Sequence, residues 1–275
     1  MDLKLDEPNA RSIVTSRGNA RVKQLRAAFA GQARLSGGLI AIEGDNLLRE
    51  ALQSGMVLKT IFVSEGRELP RGLPRGVEVM ILSEEVFASA VETRAPQGIA
   101  ALLVPPVPRL EDVLTGQPLL LIAAGLQDPG NLGTLVRSAE AFGATGVLTT
   151  PGTVSAWNQK ALRASAGSVF RMPVVSIDDA ELQALKQRGI RLMAAVAEQE
   201  IGAIEAQAAE FAGACAVMIG NEGAGLSDSM LNLADVRVTI PCPGKVESLN
   251  AAIAGSLLLY EASRQRSARK AESDR

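Results

Sequence analysis

Short, mostly apolar runs recur along the 275 residues of this chain and alternate with stretches of helical periodicity. In the second half the runs fall at 119–122, 146–149, 174–175, 190–196, 214–219 and 236–240, with helical patterns at 132–142, 158–165, 180–188 and 249–260 between and after them. A strand that is apolar on both sides needs cover on both faces, which predicts a parallel sheet sandwiched between helices. The first half alternates too. A helix is expected over 19–33, where Val22, Leu25, Ala28 and Phe29 share a face, and helices also at 45–52 and 83–91. Strands are expected at 39–42, 58–63, 77–82 and 98–104. Pro105-Pro-Val-Pro108 parts the halves, because proline stiffens a linker and removes donors that a sheet needs. The expected organisation is a loose arm at 1–15, a small α/β domain at 16–104, a linker at 105–117, a larger domain at 118–267 and a polar, basic tail at 268–275.

Composition narrows the chemistry more than the fold. Histidine is absent, so a Ser-His-Asp triad, a Cys-His pair and a His-ligated metal are excluded, and no metal is expected. Cys215 and Cys242 are too far apart for a zinc ribbon or a redox pair, and reduced thiols in a cytoplasmic protein are the expectation. No apolar run approaches the roughly 18 residues of a membrane span, and the first residues lack a secretory pattern. Aromatic residues make up 3%, which suits a packed α/β core better than a stacking surface. The net charge of −2 gives no global pull toward nucleic acid, but its distribution is uneven. Arg11, Arg17, Arg21, Lys23, Arg26 and Arg34 fall in a stretch without acids, and Arg264, Arg266, Arg269 and Lys270 lie near the other end. Either these are solvated faces or they contact RNA.

Three segments lie just after expected strands, where open parallel sheets bind ligands. In Leu126-Gln-Asp-Pro-Gly-Asn-Leu-Gly-Thr-Leu-Val-Arg137, a turn leads into a helix. Asn131 stands at its start as a cap or a ligand-facing amide. Arg137, six residues on, is expected to reach back toward the helix N-terminus, making with Asn131 a place for a phosphate or ribose. In Val217-Met-Ile-Gly-Asn-Glu-Gly-Ala-Gly-Leu226, a strand runs into Gly220, Gly223 and Gly225, around an unusual Glu222. This is not the GxGxxG order of dinucleotide sites. In Val238-Thr-Ile-Pro-Cys-Pro-Gly-Lys-Val-Glu-Ser-Leu-Asn-Ala-Ala251, a proline-rich loop leads to a helix opening at Ser248 or Leu249, where Ser248 and Asn250 are caps or ligand donors.

These segments, in this order and spacing, resemble the three motifs of the SpoU (TrmH-like) RNA ribose methyltransferases, and Ala161-Leu-Arg-Ala-Ser-Ala-Gly167 looks like a further family segment. Asn19-Ala-Arg-Val-Lys23, Ile42-Glu-Gly44 and Pro96-Gln-Gly98 are similar to the family's accessory domain, which resembles an RNA-binding ribosomal α/β sandwich. The resemblance implies an α/β fold whose C-terminal parallel-sheet domain carries a trefoil knot, a feature that pattern reading would never propose because knots are so rare. It implies S-adenosylmethionine as cofactor, held at Gly220, Ile240 and Leu249 with Ala197, Asn221, Gly223 and Ser248 beside them. It gives Arg137 the central role, with Asn131, Glu222, Ser248 and Asn250 positioning it and the substrate. It implies a homodimer joined through the knot region, and an RNA substrate, ribosomal rather than transfer RNA. Arg17, Arg21, Lys23, Arg26 and Arg163 are the expected RNA contacts. Two other readings remain at this point: a non-catalytic RNA-binding protein, and a knotted methyltransferase acting on a base nitrogen.

Overall fold

The computed structural model describes residues 12–197, 200–246 and 248–273. Most of the expected arm (1–11, with Arg11), Glu247 of the third segment and the last two residues of the tail lie outside the described residues. The chain forms two compact units that divide after Pro106.

The first unit runs α1 (Ala20–Phe29), α2 (Ala33–Ser36), β1 (Ile40–Glu43), α3 (Asp45–Gln53), β2 (Leu58–Ser64), β3 (Glu78–Leu82), α4 (Glu84–Ala90) and β4 (Ile99–Leu103). Its four strands stand in the order β1-β4-β2-β3. β4 pairs antiparallel with β1 and β2, and β3 runs parallel to β2. Asn19 caps α1 by accepting from the Arg21 amide at 2.8 Å. Val22, Leu25, Ala28 and Phe29 pack together against Phe62, Phe87 and Leu102 in one core. The helix does not continue to residue 33. Gly31 takes the left-handed φ of +66° that only glycine adopts freely, and the chain restarts as α2.

The second unit runs α5 (Leu110–Val113), β5 (Leu119–Ala123), α6 (Pro129–Ala141), β6 (Gly146–Thr149), α7 (Gln159–Ser165), β7 (Val174–Ser176), α8 (Asp179–Gln187), β8 (Arg191–Ala195), β9 (Ile204–Glu205), β10 (Cys215–Ile219), α9 (Asp228–Leu233), β11 (Val236–Thr239) and α10 (Ala251–Ser273). Seven strands form one sheet in the order β7-β6-β5-β10-β8-β11-β9, and every pair is parallel. All five residues of β5 and of β10 are buried, as double-sided cover requires. Leu120, Ile122, Leu192, Ala216 and Met218 pack with α8 and α9 on one face. On α6, Leu132, Leu135 and Val136 are buried. α7 packs so closely on α6 that a Cβ at Gly133 would lie 2.3 Å from the Ala161 carbonyl oxygen.

The final helix is longer than the expected 249–260. It opens at Ala251 and continues to Ser273, so the residues read as a tail from 268 are helical as far as they are described. Arg266 is not a surface cation for RNA. Its guanidinium donates inward to the carbonyls of Phe211 (3.1 Å), Gln117 (2.9 Å) and Pro118 (3.0 Å), tying α10 to the loops that lead into β5 and β10. Arg264 is spent in a 2.6 Å pair with Glu261.

Candidate active site

The loops leaving the carboxyl ends of β5, β8, β10 and β11 converge. The loop after β5 ends on Asp128, which caps α6 by accepting from the Gly130 and Asn131 amides at 2.6 and 3.0 Å, with Pro129 in the first turn. Asn131 is therefore not the cap. Proline presets the helical φ and lacks the amide hydrogen a first position would leave unused, so the helix starts three residues earlier than expected. The Lys160 ammonium, 2.7 Å from Asp128, joins those amides in holding the Asp128 carboxyl below its usual range.

Freed from capping, the Asn131 side chain bridges the other two segments. Its Nδ2 donates to Glu222 Oε1 at 2.9 Å, and its Oδ1 accepts from Asn250 Nδ2 at 3.0 Å. Asn250 is the cap of α10: its own Oδ1 accepts from the Ala252 and Ile253 amides at 2.9 and 3.3 Å. Glu222 also accepts from the Gln127 and Asp128 amides at 3.4 and 3.3 Å. Burial pushes the Glu222 carboxyl up, but the Asn131 amide and the backbone N–H groups outweigh it and leave it below its ordinary value. The site thus holds a fixed carboxylate acceptor bound by neutral donors.

The glycine loop is tied down by Asn221, whose Nδ2 donates to the Gly125 carbonyl at 2.9 Å while its Oδ1 accepts from Gly223 and Ala224. Gly220 faces the returning backbone. A Cβ there would lie 2.2 Å from the Gly225 carbonyl carbon and 2.4 Å from the Leu226 nitrogen.

Beneath these loops is a cavity of about 660 Å³. Ala197 lines it after β8, Gly220, Asn221, Glu222 and Gly223 after β10, Ile240 after β11, and Ser248, Leu249 and Asn250 ahead of α10. Its volume lies within the range of small-molecule sites. A glycine wall, apolar strand ends and a few polar groups suit a ligand with a flat ring at one end and charged groups at the other. S-adenosylmethionine is such a ligand.

The structure does not join every expected residue to this cluster. Arg137 is exposed, lines no part of the cavity and has no hydrogen bond or ion pair among the described residues. Six residues advance a helix by about 600°, which leaves Arg137 roughly 120° around α6 from Asn131. Ser248 is exposed on the cavity wall. In the first unit the basic helix is already engaged: Arg17 pairs with Glu85, Arg21 with Glu78 at 2.9 Å, and Arg26 donates to the Ser89 carbonyl at 3.1 Å. Lys23 and Arg163 are exposed. Such exposed pairs are worth about 0–1 kcal/mol, so a phosphate can displace them, but α1 is not the bare cationic face its sequence suggests.

Two features were missed. Asp128 and Lys160 form the brace that releases Asn131, and the Asp-Pro-Gly turn carried the signal, since an acid before a proline is a strong helix start. Thr239, at the end of β11 and on the cavity wall, buries a hydroxyl oxygen without a partner, which its strand-like sequence could not reveal.

Known proteins with this arrangement are consistent with one another. Residues 118–260 match the SpoU rRNA Methylase family, and residues 19–101 match the MRM3-like substrate binding domain. The chain is 36% identical to the 23S rRNA (guanosine(2553)-2′-O)-methyltransferase RlmP of Bacillus subtilis, over 90% of this chain and 97% of that protein. It is 30% identical to a 23S rRNA (uridine(2479)-2′-O)-methyltransferase of Streptomyces viridochromogenes, over 94% of each. Among solved structures, the SpoU methyltransferase AviRb of Streptomyces viridochromogenes in complex with AdoMet superposes with a TM-score of 0.79 at 29% identity, covering 90% of this chain and 98% of that one. An AdoMet-bound rRNA methyltransferase from Sinorhizobium meliloti superposes with a TM-score of 0.81 at 27% identity, covering 92% and 97%. The site's three-segment bridge and these full-length likenesses agree: the chain belongs to the SpoU rRNA methylase family.

Proposed function

We propose that this protein transfers a methyl group from S-adenosylmethionine to a ribose 2′-hydroxyl of large-subunit ribosomal RNA. The observation that carries the reading is the Glu222–Asn131–Asn250 bridge, which gathers the three segments at the rim of one cavity. The AdoMet-bound neighbours and the 23S rRNA specificity in the relatives' names support the cofactor and substrate class.

Bound in the cavity, the cofactor supplies a methyl group on a sulfonium, open to in-line displacement by an oxygen. The residues of this chain orient that oxygen and help it shed its proton, because a neutral hydroxyl is a poor nucleophile. Asn131 and Asn250 hold each other and Glu222 in one geometry. Gly220, Ile240 and Leu249, with Ala197, Asn221, Gly223 and Ser248, form the cofactor wall. Arg137, which lines no part of the cavity of its own chain, is assigned to the target phosphate and 2′-hydroxyl of the partner's site across the homodimer, lowering the hydroxyl pKa so that its proton passes to solvent as the new C–O bond forms. A guanidinium is a donor that keeps its proton, so this electrostatic role suits it better than that of a base.

The first unit is assigned the RNA, supported by the match of residues 19–101 to a substrate-binding domain. The C-terminal part is read as a trefoil knot, supported by the return of β10 between β5 and β8. A homodimer is supported by exposed Ile253, Leu257 and Tyr260, spaced along α10 on one helical face. The cytoplasm is the assigned location, supported by the ribosomal RNA substrates named for the bacterial relatives. Among the described residues no helix is long and apolar enough to cross a membrane.

The test is a methyl-transfer assay on 23S rRNA transcribed in vitro with wild type, Arg137→Lys and Arg137→Ala. The reading expects partial activity with lysine and none with alanine, both still binding RNA. If both are dead while binding RNA, Arg137 is not an electrostatic activator.

A further inference from the structure

Sequence-specific RNA recognition splays bases out and stacks them on aromatic rings or guanidinium planes. This chain has eight aromatic residues, six Phe, one Tyr and one Trp, so its candidates can be counted. Phe29, Phe62, Phe87, Phe170 and Phe211 are buried. Phe142 meets Tyr260 edge-to-face at 5.7 Å, and Tyr260, though exposed, stands in the α10 stripe assigned to the dimer. Trp157 alone remains. It is half-buried, and it stacks on the buried Phe170 with ring centroids 6.3 Å apart and planes 27° apart.

Its place in the fold puts it beside the methylation site. Trp157 lies in the loop leaving the carboxyl end of β6, the neighbour of β5 in the sheet. That loop is laced to the one after β5. Thr153 Oγ1 accepts from the Gly125 amide at 3.0 Å and donates to the Ala123 carbonyl at 2.9 Å, and the Val154 amide donates to the Leu126 carbonyl at 2.8 Å. Gly125 in turn receives the Asn221 side chain. Next to Trp157, Asn158 caps α7, and one turn on Lys160 reaches Asp128. The indole is therefore held at its backbone by a helix cap and at its ring by Phe170, which leaves little freedom to lose on binding.

We propose that Trp157 is a stacking platform for an unpaired base of the RNA strand being methylated, and so a residue that selects the substrate. The proposal rests on the function assigned above. It accounts for a large half-exposed aromatic at the sheet end where the three segments meet, the one such ring besides the Phe142–Tyr260 pair at the α10 stripe.

The test uses the full-length chain and unmodified 23S rRNA transcribed in vitro, with Trp157→Leu and Trp157→Phe compared to wild type. Stacking predicts a KM for RNA about tenfold higher with leucine and within about threefold of wild type with phenylalanine. The kcat at saturating RNA, and S-adenosylmethionine affinity measured without RNA, stay unchanged in both variants. As the only tryptophan, Trp157 also reports directly, and its fluorescence in the wild type falls as RNA is added. Unquenched fluorescence, or a leucine variant with wild-type KM, overturns the proposal. If the leucine variant does not fold, the quenching decides. If the wild type binds S-adenosylmethionine but methylates no RNA, the assigned function fails, and quenching by RNA still separates a stacking Trp157 from a packing one.

Discussion

Adding one methyl group at Gly220 is the sharpest perturbation of the cofactor wall. The Cβ of Gly220→Ala would sit 2.2 Å from the Gly225 carbonyl carbon, 2.4 Å from the Leu226 nitrogen and 2.5 Å from the Gly225 oxygen. All three are backbone atoms, so no side chain can swing aside, and the loop from Gly220 to Leu226 must open by an ångström or more. That loop carries Glu222 and is pinned through Asn221 to Gly125, so opening it also strains the bridge to Asn131. Overpacking of this kind costs about 1–3 kcal/mol. For a domain of this size that lowers Tm by roughly 2–10 °C. The larger effect is on binding, since the displaced backbone forms the cavity wall, and S-adenosylmethionine affinity measured by calorimetry falls at least about tenfold, or 1.4 kcal/mol. Gly213→Ala is the control, because a Cβ there meets nothing within 4 Å, and neither Tm nor affinity changes. Wild-type affinity in a folded Gly220→Ala would refute the placement of the cofactor against this loop.

Other expectations follow from the same geometry. Glu222 and Asp128 both have lowered carboxyl pKa values, so the stability they add is present above the usual carboxylate range and is lost as pH falls through their depressed folded values. Thermal stability accordingly holds through the ordinary carboxylate range and falls only below it, with that acid limb weakened in Glu222→Gln; thermal melts across pH check it. Asn131→Asp sets a second carboxylate 2.9 Å from Glu222 in place of a donor, and its methyl transfer drops about a hundredfold at pH 7 and recovers in part as pH is lowered. Arg266→Ala strands several backbone carbonyls between α10 and the entries to β5 and β10, and thermal unfolding shows a loss of about 3 kcal/mol. Leu257→Glu places a charge in the apolar stripe of α10 and yields a monomer by light scattering if that stripe is the dimer interface.

Much of the second unit was legible because β5 and β10 are apolar on both faces, a pattern few other settings permit. Helix starts were legible where a cap was unambiguous, as at Asn19, Ser83 and Asn158. The start of α6 was misread because Asp128 and Asn131 are both good caps, and only the competition between them, settled by Pro129, shows which side chain is left for chemistry. The extent of α10 was misread for a different reason. Its last turns are polar in sequence, yet Arg266 points inward to backbone carbonyls, a use of arginine that periodicity cannot separate from a solvated charge. The same ambiguity hid the ion pairs of Arg17, just ahead of α1, and Arg21, within it, whose acidic partners Glu85 and Glu78 are remote in the chain. Co-location was beyond pattern reading: Asn131, Glu222 and Asn250 are each plausible loop or cap residues, the family resemblance alone grouped them, and the fold sets Asn131 2.9 Å from Glu222 and 3.0 Å from Asn250.

The central claim is that this site methylates ribose. The direct measurement is transfer of an isotope-labelled methyl group from S-adenosylmethionine to 23S rRNA, followed by digestion to nucleosides and mass analysis of the label. The account predicts a single labelled nucleoside carrying the methyl on its 2′-oxygen, with transfer abolished in Arg137→Ala. Label on a base nitrogen, or no transfer by a protein that binds both the cofactor and the RNA, would contradict it.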